Sequence, residues 1–483
     1  MVRLGLMCAL CGIAGCQTTT RNFQSPVEVP SSWTLSHDGE RLPEQWWTAL
    51  GDSSLDELVD RALDENFTLR MAWDRLWQAN AIARREGADT YPTVDFTGGG
   101  GRTRTLNSTG TSYATDWDLG LRASYEFDLW GRIRSTQDAA LLDAMTAEED
   151  VYTSAISLSA DIASRWYEYA EQSQRIKVIK RQNLNNQDVL EIITAQFRAG
   201  QNRAEDVLRQ QNLVESNLGD LAVAQRQAET IRLQLLILLG LSPDETLPIG
   251  QPVLIDLPPI PELGLPAALL HQRPDVRSAY REVQAADRRT AAAIADQYPS
   301  ISLSASVGTS GNRVSDLFDN WGANLAANLV QPLIDGGRRE AEVDRTLSIT
   351  SESINNYAQV VLSALHEVET ALSQERQQLL YVQSLDRQFE TAQKVVERVR
   401  DSYLSGQSEY LNVLDAQTTV QQLELRQLEA RRILINYRVD LSRALAGGWE
   451  MSAPEPARII EVHDMQSSTD HVSVLNTDQG VSQ

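Results

Sequence analysis

Three stretches of the chain alternate between apolar and polar residues with a period of two. They run from Asp116 to Leu129, from Ser300 to Val307 and from Trp321 to Leu329. A weaker stretch of the same kind covers Thr93 to Arg104. Successive side chains of a β-strand point to opposite sides of a sheet, so this period predicts strands with one apolar and one polar face. Four such strands are expected, two in each half of the chain.

A long stretch with helical periodicity follows each strand pair. Both stretches lack proline, and both lack glycine until a single glycine ends each one. At about 1.5 Å per residue each helix would be on the order of 100 Å long, which is too long for a compact globule. A second helical stretch follows each glycine, which predicts two long coiled-coil hairpins. The predicted segments are Arg134 to Ala199, Gly200 and Ala204 to Leu239 in the first hairpin, and Arg338 to Ser405, Gly406 and Tyr410 to Ala446 in the second.

The two hairpins belong to an internal duplication. The segment Phe197 to Gln211 returns as Tyr403 to Gln417, and Tyr91-Pro92 returns as Tyr298-Pro299. A repeat of this length is a structural half that has been duplicated and fused, because short solenoid units are much smaller. The predicted fold class is therefore mainly α with membrane β, built from a duplicated strand pair plus long coiled-coil helical hairpin.

The strands are expected to contact a membrane. No stretch beyond the N-terminus has eighteen consecutive apolar residues, so no transmembrane helix is predicted. A polar inner face and an apolar outer face are typical of a β-barrel, but the smallest known barrels have about eight strands. Four strands cannot close one, so the pattern predicts an oligomer in which several chains share a barrel.

The N-terminus has the pattern of a secretory signal. Arg3 precedes an apolar run from Leu4 to Ala14, and Ile13 to Cys16 matches a lipobox. We expect cleavage before Cys16, which would carry a diacylglyceryl and an N-acyl lipid, and Gln17 favours sorting to the outer membrane. The alternative is an ordinary signal peptide with an incidental cysteine. Apart from this covalent lipid, no cofactor is predicted.

Composition narrows the classes of function. All three cysteines lie within the first sixteen residues, so the mature chain would have no intramolecular disulfide. The net charge of −23 argues against a nucleic-acid partner. The five histidines show no metal-ligand spacing, and no nucleophile and base are placed together. We predict neither a metal site nor an enzyme.

Several segments together resemble the TolC family of outer-membrane efflux ducts, in particular the lipoprotein branch that serves RND-type multidrug pumps. The resemblance covers roughly Trp46 to Ala446. It is carried by the opening Trp46 to Leu69, by YEFDLWGRIR (Tyr125 to Arg134), by RPDVRSAYREVQAAD (Arg273 to Asp287), by LVQPLIDGGRREAEVD (Leu329 to Asp344) and by the two glycine turns.

This resemblance implies a homotrimer whose twelve strands form a β-barrel in the outer membrane, continued by a periplasmic α-barrel. It also implies a passive, gated exit duct for small molecules such as drugs. A periplasmic adaptor protein and an inner-membrane RND-type transporter would hand these over. A type I secretion duct for proteins is an alternative within the family. A periplasmic adaptor lipoprotein is a less favoured one, because an adaptor has one hairpin and compact β domains.

The resemblance places a channel gate at the two helical turns. Asp206, Asn412 and Asp415 match the positions around the family's periplasmic constriction, where converging carboxylates repel one another. Asn412 replaces a common aspartate, and Ser408 stands where an arginine can lock the turn. Asp206 also suits the start of a helix, where carboxylates meet free N–H groups.

The same turns would dock the adaptor. The expected docking tips are Phe197, Gly200, Gln201, Leu404, Gly406 and Gln407. The two glycines also suit the backbone geometry at the end of a helix.

The chain divides into six predicted regions. They are a signal peptide (1–15), a lipidated extended segment (16–55), a first repeat (56–240), a proline-rich connector (241–266), a second repeat (267–446) and a flexible tail (447–483). The loops Leu106 to Thr115 and Ser310 to Asp319 are rich in turn-forming residues, and we expect them to be the extracellular turns.

Overall fold

A computed structural model describes residues 27–34, 41–247, 252–446, 451 and 453–454. Cys16, the predicted signal peptide and all but three residues of the predicted tail lie outside the described residues. The helices, in chain order, are α1 (Ser53–Glu65), α2 (Phe67–Ala88), α3 (Arg132–Arg198), α4 (Ala204–Leu238), α5 (Pro274–Ala295), α6 (Arg338–Leu404) and α7 (Tyr410–Leu445). Shorter helical turns cover Trp46–Leu50, Pro266–Ala268, Leu269–Gln272 and Val314–Phe318.

The two predicted helical hairpins are confirmed. Helices α3 and α6 each contain 67 residues, which corresponds to about 100 Å. Both begin after a left-handed glycine, Gly131 or Gly337. A nearby aspartate accepts hydrogen bonds from N–H groups at the start of each helix: Asp128 from Ile133 and Arg134, and Asp335 from the cap Gly337 and from Arg339. The duplication thus repeats the chemistry that starts each long helix.

The four strands form one antiparallel sheet with the order β1-β2-β3-β4. They are β1 (Thr93–Asn107), β2 (Gly110–Phe127), β3 (Ser300–Gly311) and β4 (Trp321–Val330). The two halves of the duplication meet where β2 pairs with β3, with Tyr125 opposite Leu303. Strands β1 and β4 are the edges of this sheet, and within the described part of the chain each pairs on one side only. None of the described helices has both the length and the apolar character that crossing a bilayer requires.

Two predicted boundaries are wrong. The expected loop Leu106 to Thr115 is mostly strand, because β1 and β2 continue to a two-residue turn at Ser108 and Thr109. Its threonines and Tyr113 favour strands, which outweighs the turn-forming residues between them. The expected extended segment 16–55 includes the helical turn Trp46–Leu50 and the start of α1, which the Asp52 carboxylate caps through Ser54 and Leu55. The first repeat therefore begins before residue 56.

The proline-rich connector is held by two arginines that the duplication relates. In α4, Arg232 donates to the carbonyls of Pro243 and Glu245. In α7, Arg438 occupies the equivalent position and donates to the carbonyls of Pro258 and Pro259. The duplicated helices therefore hold two separate stretches of the connector.

Candidate functional site

The two helical reversals have the same backbone. Gly200 and Gly406 both adopt a φ of 74°. In each turn the residue after the glycine donates to a carbonyl five residues earlier: Gln201 to Gln196 at 2.9 Å, and Gln407 to Ser402 at 2.8 Å. This is the Schellman arrangement, which requires a left-handed residue and therefore favours glycine. Gly200 and Gly406 thus have the role at the end of a helix that the sequence analysis gave as the alternative to adaptor docking.

The two tips contact each other within one chain. The hydroxyl of Tyr403 donates to Gln196 Oε1 at 3.2 Å and lies 3.0 Å from Asn202 Nδ2, which donates to it. Arg203 and Glu409, at equivalent positions of the repeat, approach to 3.9 Å across the same cleft. Both of these side chains are largely exposed, so their ion pair contributes little. The tyrosine is the more specific contact.

Tyr410 anchors the second tip deeper in the helices. It packs with Ile193 and Leu414, and its ring makes an edge contact with Tyr403 at a centroid distance of 5.8 Å. Its hydroxyl donates to the fully buried Gln210 at 2.7 Å. Burial, followed by the neighbouring Tyr403 and Asp206, raises the pKa of Tyr410 above its usual value. The ring therefore stays neutral in the folded tip.

Asn186 joins three helices behind Tyr410. Its carbonyl oxygen on the backbone accepts from Gln210 Nε2 at 2.8 Å. Its side-chain oxygen accepts from Gln417 and Gln421 of α7 at 3.1 and 3.0 Å. Asn186 is fully buried, and every one of these bonds replaces a bond to water that the site excludes. We call Tyr403, Tyr410, Gln210 and Asn186 the tip latch.

The predicted gate residues lie near this latch. Asp206 lines the cleft between the tips and accepts from the backbone N–H of Arg203 at 3.4 Å, as a capping residue does. Asn412 is exposed and donates to Ser408 Oγ at 3.0 Å. The Asp415 side chain is exposed. The helix-start role considered for Asp206 is therefore present, and the gate role of all three residues stays a prediction.

The six predicted docking residues are all exposed. Phe197 is 44% exposed and Leu404 is 68% exposed, although both are apolar. Exposed apolar side chains agree with a contact surface, although single ones are also ordinary on a protein surface. Docking itself stays a prediction.

The sequence reasoning missed the tip latch. Its signal was present: where the second tip has Tyr403 and Tyr410, the aligned positions of the first tip hold Phe197 and Ala204. A buried tyrosine hydroxyl needs a hydrogen-bond partner, so tyrosines in only one copy were a signal to look for such partners there. Among the described residues, no group of three or more metal-binding side chains is close enough to hold a metal ion.

Comparison with known proteins agrees over almost the whole chain. The profile of the family described as "Outer membrane efflux protein" matches residues 58–241 and 265–447. The chain is 31% identical to the pyoverdine export outer membrane protein OpmQ of Pseudomonas aeruginosa, over 95% of this chain and 99% of that protein. It is 27% identical to the cation efflux system protein CusC of Escherichia coli, over 92% and 98% of the two chains.

Solved structures have the same fold. A crystal structure of CusC covers 89% of this chain and 100% of its own with a TM-score of 0.82 and 25% identity. The outer-membrane channel OprN gives a TM-score of 0.83 at 25% identity, over 90% of this chain and 100% of its own. Because the matches include both strand pairs and both hairpins, they extend to the whole duplicated unit.

Proposed function

The chain belongs to the outer membrane efflux protein family, and from this premise we propose in detail how it forms an exit duct. It is an outer-membrane efflux protein, and the members of its family are channels rather than enzymes. We propose that three copies assemble into one duct. A periplasmic adaptor and an inner-membrane RND-type transporter then supply the exported small molecules and the energy.

The sheet is the observation that carries this proposal. Its polar face bears Asp95, Asp118, Arg122 and Glu126, while its large apolar side chains, apart from Val330 at the end of β4, point the other way. Among the described residues, each of the edge strands β1 and β4 has a partner strand on one side only. Unpaired edges of an exposed sheet pair readily with another chain. Pairing β1 of one copy with β4 of the next would give twelve strands around a polar lumen, beside the lipid that we expect on Cys16.

The tips support the gate and docking proposals. In a trimer the six helical turns would converge, and Asp206, Asn412 and Asp415 would narrow the periplasmic end. The tip latch would hold the two tips of each chain together. The exposed Phe197 and Leu404, with the turns at Gly200-Gln201 and Gly406-Gln407, would then meet the adaptor.

The relatives suggest the class of cargo. Their names refer to pyoverdine, solvents, toluene and cations, which are all small compared with a folded protein. We therefore favour small molecules over the type I secretion of proteins.

An export assay in a host that lacks its own efflux channel tests this function. An RND-type pump and its adaptor are supplied with or without this protein, and accumulation of a fluorescent pump substrate is measured. We expect accumulation to fall only when all three components are present. If this protein instead restored export by a pump and another efflux channel that lack an adaptor, the adaptor alternative would be favoured. Rescue of protein secretion alone would favour the type I alternative.

The lipid anchor has a separate test. In Cys16→Ser, labelled fatty acid should no longer enter the protein, whereas the trimer should remain on gel filtration because its contacts lie in the strands and helices. Loss of the trimer in this variant would contradict the role of the lipid as an anchor only.

A further inference from the structure

The outward face of the sheet is an apolar band with two exceptions. Along all four strands, every second side chain lies on the same face as Trp117, and the side chains between them lie on the polar face. Phe96 and Leu325 lie in the band and are 71% and 72% exposed. The acidic strand residues and Arg122 all lie on the opposite, polar face. Among the residues of the four strands, only Arg102 and Arg104 place a charge on the outward face.

These two arginines stand just above the band. Gly100 pairs with Trp117, Arg102 pairs with Thr115, and Arg104 pairs with Tyr113. Each two-residue step advances about 6.6 Å along a strand. Arg102 is therefore one step, and Arg104 two steps, beyond the tryptophan level. Both lie toward the hairpin turn and away from the ends that lead into the long helices.

The height of the band matches an outer membrane. From Phe127 to Trp117 the strand rises by about 33 Å, or roughly 25 Å after the usual barrel tilt, which is the height of the apolar band of outer-membrane barrels. Trp117 lies at the upper limit and Trp321 lies one two-residue step below it in the register, at the level where aromatic residues form a girdle. The arginines then lie at the level of the lipid headgroups.

The arginines also lack acidic partners. Arg102 lies over the ring of Tyr113 at 5.1 Å, and neither arginine forms an ion pair with a described residue. Strand β3 ends opposite Trp117, so this part of the β1–β2 hairpin extends beyond the sheet and is open on its outward side. A guanidinium matches phosphate oxygens in a bidentate geometry. In a chain of net charge −23, a basic pair at the level of the headgroups would attract an anionic lipid group.

We propose that Arg102 and Arg104, with Tyr113 beneath Arg102, bind the phosphate groups of a phosphorylated lipid in the outer leaflet. This proposal rests on the proposed function, because only in an outer-membrane duct does the β1–β2 turn lie on the extracellular side of the membrane. The Tyr113 ring orients the first guanidinium, and the apolar band below holds the acyl chains of the same lipid. The second strand pair has no such site, because its turn carries Arg313 together with Asp316 and Asp319. A trimer would therefore bind one such lipid per chain.

The test uses the detergent-purified full-length protein and native mass spectrometry. Wild type, Arg102→Gln/Arg104→Gln and the control Arg122→Gln are titrated with bis-phosphorylated lipid A and with the same lipid after dephosphorylation. Arg122 lies in the same hairpin but on the polar face, so it controls for removing a positive charge from the hairpin, although one charge is removed here and two in the double variant. We expect wild type and the control to bind the phosphorylated lipid about tenfold more tightly than the double variant. Dephosphorylated lipid should bind all three proteins equally weakly.

Three outcomes would overturn the proposal: equal binding by the double variant, an equal loss in the Arg122 control, or displacement of the lipid by inorganic phosphate at a similar concentration. The last would indicate a site for a free anion. Conductance of the same preparations separates this proposal from the duct. If the double variant conducts like wild type and also binds lipid like wild type, the lipid site is wrong and the duct stands.

Discussion

The two helical hairpins are copies of one unit, but they differ in what they bury. Their long helices have the same number of residues, their turns have the same glycine geometry, and each long helix begins near an aspartate that accepts from N–H groups at its start. The second tip nevertheless carries Tyr403 and Tyr410, and the first carries Phe197 and Ala204. Duplication preserved the backbone, whereas the contacts diverged. Each copy now meets a different neighbour, so identical side chains could not satisfy both.

The connector arginines show the same divergence. Arg438 forms a buried pair with Glu375, and both residues are 4% exposed. Arg232 pairs instead with Glu229, whose side chain is 56% exposed. Arg232 and Arg438 occupy equivalent positions, but only the ion pair of Arg438 is buried. Removing equivalent residues from the two hairpins should therefore have unequal effects, which the following variants test.

The largest expected effect comes from Arg438→Met. Removal of the arginine leaves the Glu375 carboxylate buried without its cation and frees the Pro258 and Pro259 carbonyls. Breaking a buried pair in this way costs about 3–5 kcal/mol of stability, and the melting temperature should fall clearly. Arg232→Met is the matched variant in the first hairpin, and it should lower the melting temperature much less. Equal melting temperatures for the two variants would contradict the asymmetry.

A second control separates charge from packing. In Arg438→Met/Glu375→Met both buried charges are absent, and stability should recover toward wild type, because apolar residues often replace a buried pair without cost. A double variant no more stable than Arg438→Met would show that the loss comes from the connector contacts.

Tyr410→Phe should have the next largest effect. The change keeps the ring but leaves the buried Gln210 side chain without its hydroxyl donor, which costs about 1–3 kcal/mol. Thermal unfolding measures this loss. Tyr403→Phe is the control, because Tyr403 is only partly buried and should cost less. The reverse order would place the anchor of the latch at Tyr403.

Alkaline pH should weaken the second tip selectively. The pKa of Tyr410 is raised by burial, so the folded tip favours the neutral ring. Its contribution to stability is complete below the ordinary tyrosine pKa of about 10 and is lost as the pH rises through the higher folded value. Once the pH exceeds the unfolded value of about 10, the melting temperature of wild type should fall more steeply than that of Tyr410→Phe. Parallel curves would contradict this account.

Phe197→Tyr should have the smallest effect. The change places a hydroxyl on the first tip at the position that aligns with Tyr403, but Phe197 is exposed and its new hydroxyl would be solvated. We expect a change within about 0.5 kcal/mol. A clear gain in melting temperature would show that the first tip has a hidden partner of its own.

The sequence predicted the elements well because their signals are local and repeated. The strands were visible as a period of two. The long helices were visible because they lack proline and glycine up to the glycine at each turn. The predicted ends of the hairpin helices agree with the observed ends within two residues. The loop between β1 and β2 was predicted too long, because threonine-rich segments suit both strands and loops. The helical start at Trp46 was missed because a short buried turn has no period.

The contacts between the tips could not be predicted in the same way. The partners of Asn186 in α7 lie more than two hundred positions away in sequence, so only the packed hairpins bring them together. The strand register was needed to show that Arg102 and Arg104 lie on the outward face and Arg122 on the polar face. The sequence shows the type and order of these residues, but it does not show which of them are buried or which face of the sheet they lie on.

Single-channel conductance in planar bilayers tests most directly whether the paired tips close the duct. Wild type is compared with Asp206→Ala/Asp415→Ala, and with Asp220→Ala as a control, because Asp220 is an exposed acid of α4 outside the tips. A small wild-type conductance that grows in the double variant, with the control unchanged, is the result we expect. Equal and large conductance in all three proteins would contradict a gate at the tips.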